Sequence, residues 1–375
     1  MRFLRYIIPG LVIFIGGCIT QFIPETDEAR DLLVVEGLIT DQPGPYTVKL
    51  SRSMPLGSKA VKVPVTGCQV YVADDTDNQF WFSEYSGGIY RSDASAFRAV
   101  PGRKYTLHIR TYGAEESRNY ESVPVELVSV PPVDSLYYEK VVIREKNDVS
   151  GPLEGCEIYL DTHDPTGKCR YYRWDFAETW EFQLPYMVTN RVCWFHNNSG
   201  TIKVKNTTVL EEPLINRYPV LFISNESDRL SVRYSILVNQ YSLNQDEYLY
   251  WEKLQRISQE VGGLYDIIPS SVPGNVFCVE DPAEQVLGYF SVSGKTSERL
   301  FIRENFRGLV NLYRDCPSDT IYGNKVIPNL DISAWVIVDE PYLSPPYRVI
   351  TNKKTCADCS VRGTTVKPDF WDDYK

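Results

Sequence analysis

The sequence predicts a mainly β protein, with an N-terminal immunoglobulin-like or transthyretin-like sandwich followed by a larger β-rich domain that carries one amphipathic helix. Three observations lead there. Apolar and polar residues alternate over short runs broken by Gly, Pro and Asp, the pattern of half-buried antiparallel strands. The composition favours strands: 26 Tyr against 3 Met in 375 residues, with Val, Ile and Thr abundant. One stretch alone departs from period two and repeats its apolar residues at helical spacing.

The first 17 residues stand outside the fold. Arg2 and Arg5 precede an apolar run from Tyr6 to Ile15, and Gly16-Gly17 follows, the layout of a secretory signal. The run is well short of the roughly 20 apolar residues needed to span hydrocarbon. Ile15-Gly16-Gly17-Cys18 resembles the bacterial lipoprotein box, which implies cleavage before Cys18 and acylation of its sulfur. Several acyl chains on one residue, each contributing about 0.8 kcal/mol per buried CH₂, would hold the chain to a membrane far better than a single chain. Residues 18–30 then form a tether.

Residues 31–130 read as short strands. In "PYTVKLS" Tyr46, Val48 and Leu50 share one face, in "CQVYVA" Cys68, Val70 and Val72 do, and in "YTLHIR" Tyr105, Leu107 and Ile109 do. His108 falls on the outward face of its strand and is expected to be solvated. "SVPPVDS" (Ser129 to Ser135) then places two prolines side by side, which lack N–H donors and stiffen the chain, so a boundary is expected there. From 135 to 375 the strands return, longer and more aromatic, in "LYYEKVVIRE", "CEIYLDTH", "CRYYRWDFAETWEFQL", "PVLFIS" and "LSVRYSILVNQYS". A helix is predicted near 245–261, where Tyr250, Leu254, Ile257 and Val261 make one stripe. Ser242 with Gln245 has capping-box spacing, Asp246 and Glu247 suit the positive N-terminal end, and Gly262-Gly263 stops it. "VLGYFSVSG", "ERLFIRE" and "SAWVIVDE" are further strands, and the tail from Pro345 is loop-like and contains cysteines. Packing between sheets is the expected use of most aromatic residues.

A net charge of −10 with no Lys/Arg cluster argues against nucleic acid as a partner. Setting Cys18 aside, eight cysteines remain as disulfide candidates of unassigned pairing: Cys68, Cys156, Cys169, Cys193, Cys278, Cys316, Cys356 and Cys359. Cys356-Ala-Asp-Cys359 is expected to clip the tail, with Cys316 a candidate partner. Zinc is disfavoured, because there is no second CxxC and His108, His163 and His196 are scattered. No metal and no cofactor are expected.

Catalytic patterns are weak. GxSxG, HExxH, a P-loop and a strand-borne GxGxxG are all missing. Asp161, His163 and Asp164 in "DTHDP" fit a polar turn better than a cation site, which needs more oxygens. Glu178 and Glu181, three apart on a strand, point to opposite faces and make a poor glycosidase pair. Cys193 near His196 is read as a disulfide cysteine rather than a nucleophile. "SVPGNV" (Ser271 to Val276) is read as a turn from helix to sheet.

With these pieces in place, the chain resembles the Bacteroidota lipoprotein family catalogued as domain of unknown function 4249. The resemblance rests on "SVPPVDSL", "YYRWDF", "LNQDEYLYWEKL" followed by "GLYDIIPSSVPGNV", "DPAEQVLGYFSVS" and "CADCSVRGTTVKPDFW". Members are often encoded beside TonB-dependent receptors, which implies an outer-membrane lipoprotein, accessory to nutrient capture and without chemistry of its own. The membrane through the N-terminal lipid, a TonB-dependent receptor and a small nutrient ligand are the partners so implied. Acidic residues from Glu25 onward favour the cell surface over the periplasmic face. Trp174, Trp180, Trp194 and Trp251 are the candidate binding anchors, since aromatic side chains dominate recognition surfaces. The alternatives are a surface hydrolase of glycan or peptide using Asp161, Glu178 or Glu181, and a structural or adhesive surface protein.

Overall fold

The computed structural model describes residues 32–53, 63–95, 97–113, 117–143, 153–186, 188–260, 272–310, 316, 319–322, 336–339 and 347–372. The expected signal, Cys18 and the tether lie outside them.

Alternating burial builds the first unit. Its strands are β1 (Leu33–Thr40), β2 (Thr47–Arg52), β3 (Val63–Pro64), β4 (Gln69–Asp74), β5 (Gln79–Ser86), β6 (Ile89–Ser92), β7 (Lys104–Tyr112), β8 (Ser117–Ser122) and β9 (Val125–Glu126). The second unit follows with β10 (Val133–Ile143), β11 (Leu153–His163), β12 (Tyr171–Gln183), β13 (Val192–Asn198), β14 (Lys203–Asn206), β15 (Leu214–Ile223), β16 (Arg233–Leu243) and the helix α1 (Gln245–Glu260). Then come β17 (Val276–Cys278), β18 (Leu287–Ser293), β19 (Lys295–Ile302), β20 (Asp319–Tyr322), β21 (Val336–Asp339), β22 (Tyr347–Thr351) and the single turn α2 (Lys354–Ala357).

The first sheet has 11 strands, running β17-β8-β7-β4-β5-β6-β2-β1-β18 with β3 and β9 as side branches. Its inward side chains, among them Val35, Val48, Val72, Leu107 and Phe290, form one core, so the sheet is rolled into a sandwich-like body. Residues 276–293 supply both ends of the sheet although in the chain they lie between two strands of the second unit, β16 and β19. The period-two pattern of "VLGYFSVSG" marks a strand but not its partner. That partner is β1, in parallel register from Val34↔Leu287 to Thr40↔Ser293. Gly288 is required there: its φ is +87°, and a Cβ would sit 2.0 Å from the Val35 carbonyl oxygen. The two ends of the sheet meet at Asn275, whose side-chain amide donates to Phe290 O and accepts from Phe290 N–H, both at 2.8 Å. An amide side chain offers the same donor and acceptor as a peptide group, so it closes the seam where no strand pair can. This seam accounts for Val272–Val276 of the "SVPGNV" turn; Ser271 lies outside the described residues.

In the second unit, the sheet β10-β11-β15 shares a core with the five-stranded sheet β13-β12-β16-β19, to which β14 adds through β12. Trp174 and Tyr218 meet across that core with ring centroids 4.3 Å apart. The aromatic richness is used between sheets, as expected. β20, β22 and β21 form a small third sheet.

The proline joint is tied down rather than free. Gln240, wholly buried, donates from Nε2 to Pro131 O at 2.9 Å and to Thr162 Oγ1 at 3.1 Å, and its Oε1 accepts from Trp174 Nε1 at 2.9 Å. Gly294 lies against the same segment, where a Cβ would come within 2.7 Å of Val130 N.

The helix forms where its spacing places it, but its cap differs from the expected one. Asn244, not Ser242, is the cap, its Oδ1 accepting from Glu247 N–H at 2.8 Å. The Ser242 hydroxyl instead donates to Val128 O and accepts from Gly294 N–H, welding β16 to the joint.

Disulfides join Cys193 to Cys359 and Cys316 to Cys356. The tail clip through Cys316 is present; Cys356 and Cys359 do not pair with each other. Cys68, Cys156, Cys169 and Cys278 are free, which corrects their candidacy for disulfides. Their positions explain it: Cys156 and Cys169 are buried in the second core and Cys278 in the first, each acting as a small apolar residue. Burial pushes the thiols of Cys156 and Cys169 up to about 12, which keeps both inert.

Candidate functional site: a cleft between the two units

Strand alternation places the site. On β12, Tyr172, Trp174 and Phe176 point into the core, so Arg173 and Asp175 must point to the other face. Register sets their neighbours: Arg173 lies opposite Tyr241 of β16, and Tyr241 lies opposite Lys295 of β19. A cation–aromatic–cation row therefore crosses three strands. The Arg173 guanidinium carbon is 4.6 Å from the Tyr241 ring centre, and Lys295 Nζ is 5.8 Å from it. Helix α1 then brings a second ring, Trp251, to 4.8 Å from the same guanidinium carbon. The guanidinium is thus held against two rings.

The facing wall comes from the first unit. The outward side chains of β1 and β18, Glu36 beside Tyr289 and Leu38 beside Ser291, look across at Arg173, with Lys49 of β2 at the rim. Lys295 N–H donates to Asp41 Oδ1 at 2.8 Å and Gln42 Nε2 donates to Lys295 O at 3.0 Å, which ties the two walls together at one end. Between the walls lies a cleft of about 560 Å³, within the usual range of small-molecule sites.

Glu247 lies directly behind the wall. It is fully buried, and its Oε1 accepts from Trp251 Nε1 at 3.2 Å, while Oε2 has no hydrogen-bond partner. Burial raises its pKa to about 7, against the lowering influence of Ser291, Arg173 and Trp251. Burial also pushes the Tyr250 phenol up to about 12, with Glu36 and Glu247 adding to the effect, so Tyr250 is a hydrogen-bond donor at any ordinary pH. Asp175 is oriented by a chain of amide and hydroxyl bonds, Asn239 Nδ2 to Asp175 Oδ1 and Ser297 Oγ to Asn239 Oδ1, each 2.7 Å. The cleft so assembled has aromatic walls, a clamped guanidinium and polar groups at fixed positions. It can bind and orient a polar ligand.

Of the four tryptophan candidates, only Trp251 reaches the cleft. Trp174, Trp180 and Trp194 are buried, the first two in the sheet-to-sheet core and the third beneath the tail beside Trp371. That burial corrects their candidacy as surface anchors. Arg173, Tyr241, Tyr289 and Lys295 were missed. Alternation alone would have put Arg173 opposite the core-facing Tyr172 and Trp174, but no local signal says that another unit covers that face.

The polar groups considered for chemistry are engaged elsewhere. Asp161 accepts from Ser135 Oγ at 2.6 Å and Arg217 N–H at 2.7 Å, and Asp164 caps a turn through Thr166 and Cys169. His163 pairs with Asp134 at 2.7 Å. Glu178 is buried and satisfied by Asn197, Arg229 and Tyr234, and Glu181 accepts from Gln183 and Trp371. His196 pairs with Thr179 at 2.9 Å. His108 is not freely solvated: it stacks on Tyr71 at 4.6 Å and lies 3.3 Å from Glu121. No cluster of three or more metal-ligating side chains occurs among the described residues.

The chain matches the family model described as Domain of unknown function (DUF4249) over residues 19–299 and belongs to that family. No curated protein matches it. The matched segment contains every residue of the cleft, while three of the four disulfide cysteines lie beyond it.

Proposed function

We propose that this protein is a lipid-anchored outer-membrane binding component, working beside a TonB-dependent transporter, whose cleft takes a small polar nutrient. The observation that carries the binding reading is Arg173: a guanidinium packed against both Tyr241 and Trp251 is oriented in advance, which reduces the entropy lost on binding. The envelope address rests on the leader and on Cys18. The two disulfides support it, because such bonds persist in oxidising compartments. No described helix is long and apolar enough to cross a membrane, so lipid on Cys18 supplies the attachment in this reading.

The test is recovery of the protein from native membranes in mild detergent, followed by mass analysis of its N-terminal peptide and of co-purifying proteins. The expected result is a peptide beginning at an acylated Cys18, with an outer-membrane receptor in the same fraction. An unmodified Cys18, or a chain that emerges alone, contradicts the respective half of the proposal.

A further inference from the structure

We infer that Arg173 selects the ligand of this cleft by its negative charge, taking the oxyanion of a small ring-bearing acid, a carboxylate or a phosphate. The inference rests on the binding reading above and narrows it.

The geometry of the clamp is the first reason. The Arg173 guanidinium carbon lies over both the Tyr241 and the Trp251 ring, at 4.6 and 4.8 Å, and rings occupy the cation without taking its N–H donors, which stay available for recognition. A guanidinium edge matches the paired oxygens of a carboxylate or phosphate. Second, the protein does not use all of the guanidinium's donors. Arg173 Nε is buried without a hydrogen-bond partner, and the ion pair with Asp175 is 4.0 Å long, beyond hydrogen-bonding distance. Asp175 already accepts from Asn239. A guanidinium whose nearest carboxylate partner stands at 4.0 Å has hydrogen-bonding capacity left for a bound oxyanion.

The third reason is charge. Arg173, Lys49 and Lys295 line the cleft against Glu36 and Asp175, an excess of cations in a chain whose net charge is −10. That excess of one positive charge, set among low-dielectric walls, favours a ligand of negative sign. Glu247 does not cancel it, because burial raises its pKa to about 7 and leaves it partly neutral at physiological pH. Finally, Tyr250 and Tyr289, which pack on each other with ring centroids 4.8 Å apart and planes tilted by 39°, give the cleft an aromatic lining that suits the apolar face of a ring.

The test is calorimetric titration of the full mature chain in detergent with glucuronate, glucose 6-phosphate, benzoate and inorganic phosphate, using glucose and benzyl alcohol as neutral counterparts. At least one ring-bearing anion is expected to bind, with its neutral counterpart weaker by about tenfold or more. The carboxylate and phosphate arms identify which oxyanion is preferred, and inorganic phosphate measures what the ring contributes. Arg173→Gln should abolish the preference for charge, and Arg173→Lys, which keeps charge but loses the planar fork, should retain only part of it. If Arg173→Gln melts early, Lys49→Gln and Lys295→Gln at the rim replace it, with anion affinity expected to fall several-fold and to become less salt-sensitive. Equal binding of acid and neutral counterpart, binding of no anion, or unchanged selectivity in every variant overturns the inference. A neutral sugar bound in the cleft would overturn it while leaving the binding reading intact.

Discussion

Glu247 is enclosed beneath Trp251 with Oε2 unpaired, and its carboxyl titrates near 7 in the folded chain against about 4.5 when unfolded. The folded state therefore holds its proton at pH values where the unfolded state has lost it. Stability from this group is complete below about 4.5, declines as pH rises, and is gone above about 7; the loss is on the order of 3 kcal/mol. Glu247→Gln keeps the acceptor for Trp251 and removes the titration, so urea unfolding at several pH values should show the decline flattened and the variant more stable than the parent at pH 8. An unchanged slope would mean that the carboxylate finds solvent or a partner when charged. Arg173 illustrates the complementary case, a cation held against ring faces as well as beside a carboxylate, Asp175.

At the scale of elements, the strands and the helix were legible because period two and period 3.6 are properties of the local sequence. "YTLHIR" and "CQVYVA" gave β7 and β4, and the Tyr250–Leu254–Ile257 spacing gave α1. Partners were not legible. Nothing in "VLGYFSVSG" says that β18 runs parallel to β1, more than 240 residues upstream, and nothing local assigns four cysteines to bonds, three to cores and Cys68 to the edge of one. The cap moved from Ser242 to Asn244 because the Ser242 hydroxyl is taken by Val128 and Gly294. The tail is the element most open to test. Cys193–Cys359 closes a separation of 166 residues, and Arg362 pairs with Asp228 at 3.1 Å next to it. Cys359→Ser should lower stability by about 2–5 kcal/mol and free Trp371, now 2 % exposed, to become quenchable by iodide. A buried Trp371 in the variant would show that packing against Phe301, Arg233 and Trp194 suffices without the bond.

At the scale of the whole molecule, the cleft exists only because two units are fixed to one another. Sequence marked the proline joint as a boundary but not how it is fixed. The fixing groups are Gln240, Ser242 and Gly294, which lie far from the joint in sequence and meet it only after folding. Gln240→Ala would leave Trp174 Nε1 and the Pro131 carbonyl without their buried partner. A loss of about 2–4 kcal/mol is expected, with thermal unfolding splitting into two transitions as the units uncouple. One cooperative transition, merely shifted, would mean that the remaining ties, Ser242 and Gly294 to Val128 and Lys295 to Asp41, couple the units without Gln240. The cleft was illegible for the same reason: residues 36–49 of β1, β2 and the loop between them supply much of its lining, but the groups that complete it come from β12, β16, α1, β18 and β19, far along the chain. Native mass spectrometry of the full chain purified from its own membranes tests most directly whether this cleft is where the protein works. The account predicts a bound small molecule on the parent chain that disappears when Thr47→Trp fills the cleft; a bare parent chain, or a bound mass that survives the filling, would contradict it.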